Sequence, residues 1–141
     1  MRVLLDTNIL IDFIAQRPSF VKNAKAILEL CAEEKIDGCI AAHSVMNTFY
    51  ILRKDVTADD RRKVLAELCN LLTVVDIDKN KLISSLANND FTDVEDCLQT
   101  ECAKEFSADY IVTRNVTDFQ NSTIPAIFPD EFLKKVNFTA I

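Results

Sequence analysis

The chain opens with the stretch Val3-Leu4-Leu5-Asp6-Thr7-Asn8, an apolar run that ends in an acid and an amide. A strand buried on both faces of a parallel sheet has an unbroken apolar run of this kind. In open α/β sheets the functional site lies just beyond the carboxyl ends of the strands, so Asp6 is expected at such a site. The alternative is that one of residues 6–8 caps a helix beginning near Ile9, and the sequence leaves both roles open.

Segments with a helical period separate this first strand from four others. Strands are predicted over residues 2–5, 38–41, 73–76, 110–113 and 125–128. The predicted helical stripes are Phe20, Ala24, Ile27, Leu28 and Cys31; Val45, Met46, Phe49 and Leu52; Val64, Leu65, Leu68, Leu71 and Leu72; Leu82, Ile83 and Leu86; and Val94, Leu98, Cys102 and Phe106. Alternating strands and helices predict one domain over residues 1–141, a three-layer α/β/α sandwich with a mainly parallel sheet of about five strands.

The composition is that of an ordinary globular protein, with 49% hydrophobic and 27% charged residues among 141. No apolar run approaches the roughly 20 residues that cross a bilayer, so no membrane association is expected. None of the five cysteines forms a Cys-x-x-Cys pair. Free thiols are typical of the reducing cytoplasm, where we expect the protein. The net charge of −6 argues against simple electrostatic binding of nucleic acid, but a cation-neutralised carboxylate cluster would explain part of it.

The densest group of acids lies in residues 89–97 and includes Asp93 and Asp96. Capping explains part of it, because Thr92 and Glu95 form a capping box and Asp93 is itself a possible cap. Capping does not explain Asp96. On the predicted helix, Asp96 shares a stripe with Thr100 and Ala103, away from the Val94–Leu98–Cys102 core face. This stripe is expected to line a substrate groove, and a bound metal would relieve the repulsion among the acids.

A third polar group, Thr113-Arg114-Asn115 and then Asp118, follows the predicted strand 110–113. Arg114 is predicted to contact phosphate, and Asp118 is predicted to complete a metal site. The alternative is a strand-to-loop turn with a solvated Arg and Asp.

These three motifs, in this order and spacing, resemble the PIN-domain ribonucleases, the fold of VapC-type toxins, over nearly the whole chain. The resemblance implies that acids at the carboxyl edge of the sheet bind Mg²⁺ or Mn²⁺ and hydrolyse RNA. It further implies a small antitoxin partner and a homodimer. The implied catalytic and metal-binding acids are Asp6, Asp96 and Asp118, with Asp93 as an additional ligand, and the implied supporting or substrate residues are Asn8, Asn47, Thr113, Arg114 and Asn115.

The chain departs from the usual pattern of that family at two positions and resembles an amide-bearing subgroup. Asn47 stands where a glutamate is usual, and Asn115 stands where many members have aspartate. An amide oxygen can bind Mg²⁺ but brings no charge. The remaining three acids suffice for one metal ion and are marginal for two.

Two functions therefore remain open from the sequence. The first is a metal-dependent endoribonuclease, the toxin of a toxin–antitoxin pair. The second is a catalytically weak or inactive PIN domain that binds RNA or a partner, which Asn47 favours. A haloacid-dehalogenase-type phosphotransferase is disfavoured because it needs a second acid at the position of Asn8. A phosphoacceptor receiver domain is disfavoured because it needs an acid pair before a strand-end Asp and a later lysine.

Overall fold

The computed structural model describes the backbone of residues 1–139, which form an α/β fold around a parallel five-stranded sheet. The strands are β1 (Arg2–Leu5), β2 (Asp37–Ala41), β3 (Thr73–Val75), β4 (Tyr110–Val112) and β5 (Ala126–Ile127). The helices are α1 (Thr7–Ile14), α2 (Val21–Ala32), α3 (Ala42–Ile51), α4 (Ala58–Leu71), α5 (Lys79–Ala87), α6 (Val94–Glu105) and α7 (Pro129–Thr139). Short 3₁₀ turns cover Leu52–Lys54 and Val116–Phe119.

The sheet has the strand order β3-β2-β1-β4-β5, and every pair of neighbouring strands is parallel. The first strand is central: Leu4 pairs with Cys39 on one side and with Ile111 on the other. All five strands therefore end at one edge, which gathers the residues that follow them. The predicted fold class and the five predicted strands are confirmed, with small differences at the strand ends.

Two cores flank the sheet, as a three-layer architecture requires. Val3 and Leu5 pack on one face with residues of α1, α2, α4 and α7, among them the fully buried Phe132. Leu4 packs on the other face with Cys102 and Ala103 of α6. The central strand is therefore covered on both faces, which explains its unbroken apolar run.

The fourth predicted stripe belongs to a helix, but it faces outwards. Leu82, Ile83 and Leu86 of α5 are 42%, 55% and 68% exposed, whereas Lys81 and Ser85 are buried. The polar side turns inwards because α5 packs on α6, where Lys81 Nζ donates a hydrogen bond to Glu105 at 2.8 Å. Met46 of the α3 stripe also faces outwards, with 63% of its surface exposed. No helix among residues 1–139 is long and apolar enough to span a membrane.

The faces of α6 also differ from the prediction. Thr100 and Ala103, predicted to line a groove, are 4% and 0% exposed, while Val94, predicted to be core, is 37% exposed. The reason is the environment of α6, which contacts β1, β2 and β4 as well as α5 and so buries a broad face. Leu98 and Cys102 are buried as predicted. Asp96 thus lies at the margin of the buried face, in the first turn of the helix.

Candidate functional site

Asp6 lies at the carboxyl end of β1 and has both of the roles that the sequence left open. Its Oδ1 accepts hydrogen bonds from the Thr7 backbone N–H at 2.6 Å and from Gln99 Nε2 at 2.7 Å. Its Oδ2 accepts from Thr113 Oγ1 at 2.7 Å and from Asn8 Nδ2 at 3.1 Å. The carboxylate is therefore the N-cap of α1 and also the centre of a buried polar network.

Burial controls the charge of Asp6. The side chain is 6% exposed, and its removal from water raises the pKa of the carboxyl. The hydrogen bonds from Thr113, Gln99 and Thr7 oppose this effect, because they stabilise the ionised form. They do not cancel it, and the pKa remains above the ordinary aspartate value. The ionised form of Asp6 is therefore well oriented but still lacks full compensation for its lost hydration.

Gln99 and Ser44 extend this network, and the sequence analysis did not identify either of them. Thr7 Oγ1 donates to Ser44 Oγ at 2.9 Å, and Ser44 Oγ donates to Gln99 Oε1 at 3.4 Å. Helices α1, α3 and α6 are thus tied together beside Asp6. Ser44 and Gln99 are 0% and 2% exposed, so the available signal was a polar residue on the core face of a helix.

The predicted supporting residues Asn8 and Thr113 both contact Asp6 directly. Thr113 is fully buried at the end of β4, and its Oγ1 also accepts a hydrogen bond from the Asn115 backbone N–H at 2.9 Å. Asn8 Oδ1 accepts from the Arg114 backbone N–H at 3.4 Å. The loop after β4 is therefore fastened to the start of α1.

Four acids line a cavity of about 490 Å³ at the same edge of the sheet: Asp90, Asp93, Asp96 and Asp118. Asp93 is the N-cap of α6, and its Oδ1 accepts from the Glu95 backbone N–H at 2.8 Å. The helix therefore starts from Asp93, the second of the two caps that the sequence allowed. Asp118 belongs to the 3₁₀ turn Val116–Phe119, which brings it to the same cavity.

These acids repel one another. Burial, followed by the charges of Asp6, Asp93 and Asp118, raises the pKa of Asp96 from 3.8 to about 7. No three Asp, Glu, His or Cys side chains among the described residues are gathered closely enough to enclose a metal ion. In donor type and charge, however, this set suits a hard divalent cation, because it offers carboxylate oxygens with uncompensated negative charge.

The amide at position 47 lies near the network but outside it. Asn47 is half-buried on α3, one helical turn after Ser44. Its side chain forms no hydrogen bond with the residues that the structure describes. The next residue on α3, Thr48, does form a side-chain hydrogen bond: its Oγ1 donates to the Ser44 carbonyl at 2.7 Å. The structure therefore offers an amide, and no charge, at this position.

Arg114 is held in a buried ion pair. Its Nε and Nη2 donate to the two carboxylate oxygens of Asp12 at 2.6 Å and 3.1 Å, and its guanidinium lies 4.1 Å from the ring centre of Phe20. Asp12 is 1% exposed and lies 3.8 Å from Arg17 as well. Arg114 is thus not the solvated arginine of the alternative interpretation, and its contact with phosphate stays a prediction.

His43, the single histidine of the chain, lies in the first turn of α3 but does not cap the helix. The N-cap of α3 is Ala41, and both ring nitrogens of His43 are buried without a hydrogen-bond partner among the described residues. Burial lowers the pKa of His43, while the nearby Glu95 charge opposes that change. The imidazole is therefore a neutral neighbour of the acidic cavity at physiological pH.

Solved structures of toxin and toxin–antitoxin proteins have a similar fold. The toxin–antitoxin structure VapBC2 from Rickettsia felis is similar with a TM-score of 0.67 and 20% identity, covering 91% of this chain and 98% of that chain. A toxin–antitoxin complex from Klebsiella pneumoniae is similar with a TM-score of 0.66 and 22% identity, covering 90% of this chain and 97% of that chain. VapC20 from Mycobacterium tuberculosis, a sarcin–ricin loop cleaving toxin, is similar with a TM-score of 0.62 and 10% identity, covering 77% of this chain and 86% of that chain.

These structural likenesses establish a shared fold, and a match to a sequence family establishes more. The chain has no significant match among curated proteins. The family model for the PIN domain matches residues 2–117, which is most of the chain and includes Asp6 and Asp96. The protein therefore belongs to the PIN-domain family.

Proposed function

We propose that the protein is a metal-dependent endoribonuclease and the toxin of a toxin–antitoxin pair. The observation that carries this proposal is the pairing of two features at one edge of the sheet. Asp6 is fixed by four hydrogen-bond donors, and beside it Asp93, Asp96 and Asp118 line a cavity in which the pKa of Asp96 is raised to about 7. Such perturbed carboxylates are characteristic of functional sites.

Asp6, Asp96 and Asp118 would hold Mg²⁺ or Mn²⁺, with Asp93 as an additional ligand. When bound, such an ion lowers the pKa of a water molecule and stabilises the leaving oxygen of a phosphodiester. Thr113 and Gln99 hold Asp6 in one orientation, because each donates to a different oxygen at 2.7 Å. Asn47 and Asn115 add no charge, so three acids and the assisting Asp93 carry the negative charge of the site.

The RNA substrate and the antitoxin partner are supported by the structural neighbours. VapC20 is described as cleaving the sarcin–ricin loop, and the Rickettsia and Klebsiella structures are toxin–antitoxin complexes. The acidic cavity suits a partner that brings a cationic side chain to the carboxylates. Binding of such a partner would also keep RNA away from the site.

A homodimer is proposed as the second assembly. Exposed apolar side chains on two helices are of the kind that mark protein interfaces: Leu82, Ile83 and Leu86 on α5, and Met46, Tyr50 and Ile51 on α3. Leu86→Glu is expected to convert a dimer to a monomer in light-scattering measurements, while Lys25→Glu on α2 leaves the mass unchanged. An unchanged mass for Leu86→Glu would exclude the α5 face from the dimer interface.

The second candidate function is a PIN domain that binds RNA or a partner without cutting RNA. The observation in its favour is Asn47, which gives an uncharged side chain where a glutamate is usual in the family. The two candidates differ in whether a divalent cation binds near Asp6 and Asp96 and whether RNA is then cleaved.

Cleavage of a labelled structured RNA tests the proposal. The full chain, freed of any co-purifying partner, is assayed with Mg²⁺, Mn²⁺ or EDTA beside Asp96→Asn. The matched control is Asp76→Asn, because Asp76 also follows a strand (β3) but is exposed. Cleavage that requires metal and is lost only in Asp96→Asn supports the nuclease. A folded protein that cuts under no condition would leave the binding function as the better account.

A further inference from the structure

A second cavity, of about 370 Å³, lies between α1, α2 and the start of α7. Its volume falls within the range of small-ligand pockets, which combine apolar walls with a few polar groups. Ile9 and Ala24 form part of the apolar wall, and the Asp12–Arg114 ion pair forms part of the polar wall. None of the acids of the 490 Å³ cavity lines this one, so the two cavities are distinct.

Two phenylalanine rings border the cavity and are unusually exposed. Phe20 is 40% exposed and Phe128 is 41% exposed. The guanidinium of Arg114 stacks on Phe20 at 4.1 Å and is held in place by its two hydrogen bonds to Asp12. Exposed rings and a fixed guanidinium plane are the surfaces on which proteins stack unpaired nucleic-acid bases.

Polar groups with free hydrogen-bonding capacity lie on the same wall. The side chains of Asn23 and Asp130 line the cavity and have no hydrogen bond or ion pair with the described part of the chain. An amide both donates and accepts hydrogen bonds, and a carboxylate accepts from an exocyclic amino group. Together they can read the edge of a base. If an apolar group of a ligand filled the cavity instead, the side chains of Asn23 and Asp130 would gain no hydrogen-bond partner from it, and the ligand would bind less tightly.

The cavity is connected to the candidate catalytic site through the loop after β4. The Arg114 backbone N–H donates to Asn8 Oδ1, and Asn8 Nδ2 donates to Asp6. Four residues further along this loop, Asp118 lines the acidic cavity. One short segment therefore contributes a wall to each cavity.

We propose that the 370 Å³ cavity binds one unpaired base of the RNA substrate, next to the phosphodiester that is cut. The base stacks on the aromatic rim at Phe128 and hydrogen-bonds to Asn23 and Asp130. The carboxylate of Asp130 accepts hydrogen bonds, so it pairs with an N–H group of the base edge and not with a carbonyl oxygen. This inference rests on the proposed ribonuclease function and adds to it a determinant of sequence preference.

The test is a binding measurement that does not depend on catalysis. Asp96→Asn protein, in which RNA is not cut, is titrated with short single-stranded RNAs carrying the fluorescent adenine analogue 2-aminopurine at one position at a time. Stacking quenches the fluorescence at one position only. Adding Phe128→Ala or Asn23→Ala to the same protein removes that position-specific quenching, and Phe128→Ala weakens binding by about 5- to 100-fold. Leu71→Ala, which removes an exposed apolar side chain on α4 that lines neither cavity, is the control and changes neither.

Unchanged quenching and affinity in both cavity variants would overturn the base-binding site. Absence of RNA binding would overturn it as well. Cleavage by the unmodified chain in Mg²⁺ is measured in parallel, so the nuclease function can stand when the cavity assignment fails. If the two substitutions weaken only the complex with a co-expressed partner protein, the cavity belongs to that partner's interface and the proposal is wrong. Circular dichroism confirms that each variant is folded.

Discussion

The two halves of the candidate site are built on opposite principles. Asp6 is 6% exposed and receives hydrogen bonds from four donors, two on α1, one on α6 and one directly after β4. Asp93, Asp96 and Asp118 line an open cavity, and burial, together with the charges of the neighbouring acids, raises the pKa of Asp96 to about 7. In the first half, the carboxylate finds its hydrogen-bond partners within the protein. The second half carries negative charge that nothing in the described chain neutralises.

The contrast indicates which half of the site depends on a ligand. A buried network with every donor in use contributes to stability and orients one carboxylate. A group of repelling carboxylates lowers stability, and it persists where a cation or a cationic partner group provides the missing charge. Substitutions in the two halves are therefore expected to have opposite effects on stability while both reduce cleavage.

Substituting Asp6 or Asp118 is expected to have the largest effect on cleavage and to distinguish the two halves of the site by their contribution to stability. Asp6→Asn is expected to abolish cleavage, by more than about 100-fold, and to lower the free energy of unfolding by about 1–3 kcal/mol, because an NH₂ group then faces hydrogen-bond donors. Asp118→Asn is expected to reduce cleavage similarly without lowering stability. RNA cleavage and urea unfolding measure the two effects. Equal loss of stability in both variants would remove the distinction between the halves.

A smaller effect is expected at Thr113, which supports Asp6 without belonging to the acids. Thr113→Val keeps the shape of the side chain but removes the donor to Asp6 Oδ2, so cleavage should fall by about 10- to 100-fold. Thr113→Ser keeps the hydroxyl and should retain most of the activity. The comparison of kcat and KM for the two variants is the measurement. If Val and Ser behave alike, the hydroxyl does not orient the site.

The pH dependence of stability tests the other half. The folded pKa of Asp96, about 7, exceeds its ordinary value of 3.8, so the folded state binds the proton more tightly. Stability therefore falls as pH rises from about 4 to 7, and Asp96→Asn removes this contribution. In EDTA at pH 8 the variant should have the higher Tm, by about 2–4 °C for each kcal/mol gained. If the Tm difference between Asp96→Asn and the unmodified chain is the same at pH 5 and at pH 8, Asp96 does not make this contribution to the pH dependence of stability.

The smallest expected effect comes from restoring charge at position 47. Asn47→Glu adds a carboxylate on α3, one turn after Ser44 of the network. Half-maximal cleavage should then need about fivefold less Mg²⁺, equivalent to about 1 kcal/mol for one partly exposed charge. A titration of cleavage rate against Mg²⁺ gives this value, with Asn47→Gln as the uncharged control. A higher Mg²⁺ requirement for the glutamate variant would place position 47 outside the cation site.

The sequence predicts the sheet well because buried parallel strands have a direct apolar signal, and the strand ends then locate Asp6, Thr113 and Asp118. The sequence prediction is wrong for the apolar stripe of α5, because periodicity shows that apolar residues share one face of a helix but not whether that face is turned to the core or to solvent. It also misses Gln99 and Ser44, because a single polar residue on a core face gains meaning only when its partner from a distant segment is known. The ion pair between Asp12 and Arg114 was not predicted for the same reason, because its two residues are 102 positions apart in the sequence.

If the acids of the 490 Å³ cavity lack a counter-charge, the chain should bind a divalent cation there. Mn²⁺ is titrated into the full chain by calorimetry at pH 8, beside Asp96→Asn and the exposed strand-end control Asp76→Asn. We expect saturable binding by the unmodified chain and by Asp76→Asn, and its loss in Asp96→Asn. Equal binding by all three proteins, or no binding by the unmodified chain, would overturn this expectation.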